Sequence, residues 1–180
     1  MISLYDILEA ANGQLFGEPG AQLFSDFCFD SRLASESTLY VALQGGAQYI
    51  FEAVQRGASG VLCTRPPEFD TSGLSIMLVK DVTAALMKWS RFVLAKLGPQ
   101  VVGVTGTSGK SITVEAISHV LGTRYPVGRR SDAINGRLIL PVTPARRTPD
   151  RKFVVLEMGP QAPAGLSPRV RPAFCPAGWP

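Results

Sequence analysis

"GVTGTSGKSITVEAISHVL", Gly103 to Leu121, decides how this chain is read. An apolar stretch, Val101–Val104, feeds the loop Thr105-Gly106-Thr107-Ser108-Gly109-Lys110-Ser111, and an amphipathic stretch follows. That order predicts a strand, a tight glycine loop and a helix. Successive backbone N–H groups and the positive end of the helix then converge on one point, and polyphosphate is the natural ligand for it. Glycines belong there because side chains would obstruct close approach. Lys110 is expected to reach the outer phosphates of ATP, and Ser111, first in the helix, to offer its hydroxyl to Mg²⁺. The general phosphate-loop pattern places a glycine six residues before the lysine, and here Val104 stands at that position. Gly106 gives a tighter G-x-x-G-K-S. Taken alone, that hexapeptide also fits an ordinary β–α turn; the strand before it and the helix after it argue for the phosphate site.

Some fifty residues on, Phe153–Leu156 reads as a second apolar strand, ending in Glu157. A carboxylate at the carboxyl end of a strand in a nucleotide-binding α/β domain can meet phosphate-bound Mg²⁺. A lone glutamate in such a place is more often simply solvated. Its position after the phosphate loop makes Glu157 the expected metal-side carboxylate.

The bulk numbers agree with a globular chain. It has 180 residues, 46% of them apolar, enough for one domain or two small ones with a buried core. The apolar runs, such as Ser75–Val79, are far too short to span a bilayer. The start, "MISLYDILEA", lacks a basic region and a small-residue cleavage site, so a cytoplasmic location is expected. Cys28, Cys63 and Cys175 are widely spaced and odd in number, the pattern of reduced structural thiols. The net charge of +4 conceals an asymmetry. Residues 1–100 hold seven Lys/Arg against ten Asp/Glu; residues 101–180 hold eleven against four. The positive half carries the glycine loop, which suits an anionic ligand. The arginines are scattered and no aromatic-interleaved basic motif accompanies them, so nucleic acid is not an expected partner.

Ser3 and Asp6 predict a capped first helix, with Leu4, Ile7 and Leu8 as its apolar stripe and Asn12-Gly13 as its stop. "AQLFSDFCFDSR" and "STLYVALQGG" read as two strands. "YIFEAVQRGA" reads as a short helix, and "SGVLCT" and "LSIMLVK" as compact strands around the proline-containing loop "RPPEFDTSG". Asp81–Leu97 is a longer helix. A new strand–loop–helix unit starts at Gln100, so a domain boundary is expected near residues 97–100, dividing the chain into 1–98 and 99–180. Alternating strands and helices argue for α/β layers with largely parallel pairing. Six prolines between Pro160 and Pro180 predict an unstructured or incomplete end.

At this point the motifs resemble a known family. "GVTGTSGKSIT" is similar to the Mur ligase loop G-x-T-G-[TS]-N-G-K-[TS]-[TS]-T, and "VVLEMG" to that family's V-x-E-M-G strand. Upstream, "FDSRLASESTLYVALQG" and "FEAVQRGASGVL" resemble two stretches of the family's amino-terminal domain. "INGRLILPVT" loosely resembles a stretch of the members that add D-alanyl-D-alanine. The match spans roughly residues 1–170. It implies a small α/β substrate-binding domain followed by an incomplete parallel-sheet ATPase domain of the phosphate-loop type. Carried over by position, the resemblance gives the ATP phosphates to Lys110 and the loop Thr105–Ser111, and Mg²⁺ to Ser111 and Glu157. It sets Asp30, Ser31 and Arg32 near the UDP part of a nucleotide-sugar peptide, and Asn135 near the reaction centre. Asp30-Ser31-Arg32 also fits a hydrogen-bonded turn after a strand.

The family's reaction is ATP-dependent phosphorylation of a substrate carboxylate, followed by attack of an amino acid or dipeptide amine to form an amide. Lys110 and Mg²⁺ are the expected cations on the transferred phosphoryl group. This chain departs from the pattern at Ser108, where the family has Asn, and at Ile112, where it has Thr. "QGGAQYIFEA" lacks the family's D-G-H. His119, mid-helix, is expected to be filler rather than catalytic. Two other readings stand beside the ligase: a nucleotide-binding module without catalysis, and an unrelated phosphate-loop NTPase.

Overall fold

The computed structural model describes residues 1–128 and 152–157. In chain order the elements are β1 (Ile2–Ser3), α1 (Leu4–Ala11), β2 (Gln14–Phe16), β3 (Leu23–Phe24), β4 (Asp26–Cys28), β5 (Thr38–Val41), α2 (Ile50–Gln55), β6 (Gly60–Cys63), β7 (Ser75–Leu78), α3 (Val82–Leu97), β8 (Gln100–Val104), α4 (Lys110–Gly122), β9 (Val127–Gly128) and β10 (Phe153–Glu157). Two 3₁₀ turns, Ser31–Leu33 and Gly46–Tyr49, lie beside β4 and α2. The chain forms two compact units, one running from Met1 to Phe92 and the other beginning at Val93, inside α3. Both are α/β with parallel pairing, the expected fold class.

In the first unit five strands form one sheet in the order β2-β7-β6-β5-β4. Four of them run parallel, and β2 joins β7 antiparallel. β5, "TLYV", and β6, "GVLC", are buried along their whole length, which is why they read as apolar runs without alternation. Register places Tyr40, Val61 and Ile76 side by side on one face. There they pack with Ile50 and Ala53 of α2, and with Cys28 and Cys63. On the other face Phe27 sits beside Leu39, and Trp89 of α3 meets the Phe27 ring edge-on at 4.9 Å. Trp89 is fully buried. Gly60 is required by close approach on that face, since a Cβ there would come within 2.5 Å of the Phe24 ring.

The helix signals are realised in detail. Ser3 caps α1 by accepting from the Asp6 amide, and Asn12 ends it in the left-handed region at φ 52°. Asp81 accepts from the Ala84 amide at 2.7 Å and so caps α3. Two sequence expectations differ from the structure. "AQLFSDFCFDSR", read as one strand, breaks at Ser25, whose amide and hydroxyl both donate to the Ser37 carbonyl. β3 therefore pairs with β1 and β4 with β5. Secondly, β2 was not expected: three residues after a helix stop carry too little periodicity to announce a strand.

In the second unit β8, β10 and β9 form a parallel sheet with β10 in the middle. Val154 and Val155 of β10 are buried, as are Val114 and Ser118 on the inner side of α4. Tyr125 packs against Phe153, with the Lys152 ammonium 4.6 Å from the Tyr125 ring centre. His119 is exposed on α4. Among the described residues no helix is long and apolar enough to cross a membrane.

Candidate functional site

The phosphate loop takes the predicted form. β8 ends at Val104, and α4 begins at Lys110. Gly106 and Gly109 have φ values of 151° and 73°, and Gly109 is the amino-terminal cap of α4. A Cβ on Gly109 would meet nothing within 4 Å, so the backbone conformation rather than crowding selects glycine there. Thr105, Gly106, Thr107, Ser108 and Gly109 are all exposed, which leaves the loop open to a ligand. The Lys110 ammonium folds back over the loop and donates to the Gly106 carbonyl at 2.8 Å. Its charge thus sits above the loop whose amides and helix dipole already favour anions. Thr113 ties the first turn down, its amide and its hydroxyl both donating to the Gly109 carbonyl. Ser111, exposed, is the second residue of the helix.

β10 lies parallel to β8 with Glu157 in register with Val104. Glu157 therefore stands level with the residue that opens the loop, at the same carboxyl edge of the sheet. The edge between neighbouring parallel strands is where α/β sheets bind nucleotides. No cluster of three or more His, Cys, Asp or Glu occurs among the described residues. Asn135, the residue expected near the reaction centre, lies outside the described residues.

In the first unit, Asp30, Ser31 and Arg32 line a cleft of about 630 Å³. Its other walls come from Phe29, Tyr40, Gln44, Gly45, Tyr49 and Glu52. The tripeptide forms the capped, hydrogen-bonded turn, and it lies at the wall of this cleft. The Asp30 carboxylate accepts from the Arg32 amide at 3.0 Å and from the Arg32 guanidinium at 2.6 and 2.9 Å. These contacts hold the Asp30 carboxyl down to about 2, the Arg32 side chain contributing most. Ser31 is buried and donates to Glu52 Oε2 at 2.7 Å. Arg56 holds the other oxygen of that carboxylate at 3.2 Å. Tyr40 is buried, which pushes its phenol up to about 12, and it donates to the Gly46 carbonyl at 3.0 Å. This bond anchors the Gly45-Gly46 turn in the segment that lacks the family's D-G-H.

Tyr40, Tyr49 and Glu52 were missed as cleft residues in the sequence. The signal available was the spacing of α2 after a strand; nothing local says that Glu52 turns toward Ser31.

Fold and loop together define an α/β protein with an open, glycine-containing strand-to-helix turn at the carboxyl edge of a parallel sheet. No family model matches the chain. The UDP-N-acetylmuramoyl-tripeptide–D-alanyl-D-alanine ligase of Bacillus subtilis (strain 168) is 32% identical over 137 residues, covering 74% of this chain and 30% of that protein. A UDP-N-acetylmuramoyl-L-alanyl-D-glutamate–2,6-diaminopimelate ligase of Chlorobium phaeobacteroides is 34% identical over 128 residues, 67% of this chain and 24% of its own length. Among solved structures, MurF of Thermotoga maritima in complex with ADP superposes with a TM-score of 0.64 at 29% identity, over 74% of this chain and 32% of that one. MurF of Acinetobacter baumannii, at 21% identity, shares the fold with a TM-score of 0.77 over 87% of this chain and 35% of that one. The chain belongs to the Mur ligase family. It spans about a third of the length of the curated relatives it matches.

Proposed function

We propose that these residues serve an ATP-dependent amide ligase of cell-wall precursor synthesis, with 1–98 as the nucleotide-sugar domain and 99–180 as the start of the ATP-binding domain. The observation that carries this reading is the alignment of the open Thr105–Ser111 loop with Glu157 at one edge of a parallel sheet. The ADP complex of the Thermotoga MurF supports a nucleotide at the corresponding fold. In this reading ATP supplies the phosphoryl group that activates a substrate carboxylate for attack by an amine. The loop amides and the amino terminus of α4 bind the polyphosphate. Lys110 exchanges the Gly106 carbonyl for a phosphate oxygen and neutralises charge on the transferred group. Ser111 and Glu157 hold Mg²⁺ with the phosphates. Asp30, Ser31 and Arg32 belong to the nucleotide-sugar peptide site, and Asn135 to the neighbourhood of the reacting groups. The second substrate is an amino acid or dipeptide. D-alanyl-D-alanine is favoured, since several relatives are ligases of that dipeptide.

Isothermal titration of Mg-ATP into the wild type and Lys110→Ala tests the loop. Loss of one charge-assisted contact is expected to weaken binding about 10- to 100-fold. Equal affinity for the two proteins removes Lys110 from the site.

A further inference from the structure

Helices α1, α3 and α4 start in different ways. Ser3 caps α1 with its side chain, accepting from the Asp6 amide. Asp81 does the same for α3, accepting from the Ala84 amide. The cap of α4 is Gly109, which has no side chain and makes no such bond. A side-chain cap would compete for first-turn amides, the groups that a polyphosphate needs.

What α4 has instead lies on the opposite side of the same peptide. The Gly109 carbonyl accepts twice from Thr113, from its amide at 3.0 Å and from its hydroxyl at 2.9 Å. A carbonyl oxygen has two lone pairs, so both are used. The Gly109–Lys110 peptide is trans and planar, which sets its C=O and N–H in opposite directions. A carbonyl held down the helix by Thr113 therefore sends the Lys110 N–H out of the amino terminus, to the loop side. Gly109 is also where this peptide turns most freely, having φ 73°, no Cβ and open space around it. The amide bond is the ordinary first bond of a helix, and the hydroxyl bond is the addition. Threonine hydroxyls commonly bond back to the carbonyl four residues earlier. Here that carbonyl belongs to the peptide joining loop to helix.

We propose that Thr113 is a positioning residue of the phosphate site, its hydroxyl fixing the Gly109–Lys110 peptide so that the Lys110 N–H is aimed at a polyphosphate before one binds. The inference rests on the reading that the loop takes ATP. Thr113 does not touch the nucleotide. It acts through the Gly109 carbonyl and lowers the ordering cost of binding. The two loop glycines then differ in use: Lys110 releases the Gly106 carbonyl when a phosphate arrives, while Thr113 keeps hold of Gly109.

The test is titration calorimetry of Mg-ATP and of inorganic pyrophosphate into the full chain. Thr113→Val keeps the shape and β-branching and removes the hydroxyl. It is expected to weaken both ligands by the same factor, about 3- to 10-fold, the cost of one hydrogen bond. Thr113→Ser, which restores the donor, should recover the wild-type affinity. Thr113→Ala removes the hydroxyl but installs the best helix former, so affinity should fall without a matching fall in the unfolding midpoint. Equal affinity in the wild type and Thr113→Val overturns the proposal, as does a loss that Thr113→Ser leaves unrepaired. Affinity and midpoint falling in step across the variants make Thr113 a fold-supporting residue, which also overturns it. If the wild type binds no Mg-ATP, the ATP reading itself fails, and this inference with it.

Discussion

The phosphate loop and the amino-terminal cleft are built in opposite ways. Seven consecutive residues make the loop, and its geometry follows from two glycines and a helix start. The cleft draws on residues from Phe29 to Glu52, brought together by a sheet, two 3₁₀ turns and a helix. A local site depends on backbone conformation. An assembled site depends on the packing that holds its walls. Substitutions should therefore separate the two.

The largest effect is expected from Trp89→Ala. This side chain is buried and stacked edge-on against Phe27, so its loss should destabilise the first unit by about 3–5 kcal/mol. Denaturant unfolding gives the number, and UDP binding should fall with it, while Mg-ATP affinity at low denaturant stays within about twofold. An equal loss of Mg-ATP affinity would show that the two regions depend on one packed core. Next comes Gly60→Ala, where the new methyl would press on the Phe24 ring. Overpacking of this kind costs about 1–3 kcal/mol, again read from the unfolding midpoint.

Gly109→Ala is the converse case. There is space for the methyl but φ is 73°, so the cost is backbone strain of about 1–2 kcal/mol. Its signature should be weaker Mg-ATP binding with little change in UDP binding. The reverse pattern would break the contrast between a local and an assembled site.

These differences also explain what could be read from the sequence. The loop, the helix cap at Ser3 and the buried parallel strands each carry their signal within a few residues. The sheet order does not, because β10 pairs with β8 residues 53 positions earlier and with β9 residues 26 positions earlier. Asp30-Ser31-Arg32 was visible as a motif, but the sequence left a capped turn and a binding element as rival readings. The structure shows the capped turn, set at the wall of a cleft. Tyr40, Tyr49 and Glu52 were invisible as site residues, since a side chain's facing is settled by packing and not by its neighbours in the chain.

The smallest effect concerns the mouth of the cleft. Asp30 titrates near 2 because Arg32 favours its charged form. A depressed carboxyl pKa contributes stability above the ordinary carboxylate range, and that contribution is lost as pH falls through the folded value. The Asp30–Arg32 pair should therefore persist down to about pH 3 and dissolve near pH 2. Side-chain carboxyl NMR should place the Asp30 midpoint near 2, and Arg32→Ala should return it toward 3.8. A midpoint that ignores the substitution would assign the shift to the turn amide instead.

The buried thiols have a practical consequence. Cys28 and Cys63 are inside the core of the first unit, and burial raises both, Cys63 to about 11. Thiol-directed reagents act on the thiolate, so neither position should be alkylated at neutral pH while that core is closed. Peptide mass spectrometry at these two positions then becomes a built-in clock for opening of the amino-terminal unit. It needs no engineered label, and it can be run in mixtures where spectroscopic unfolding curves would be unreadable.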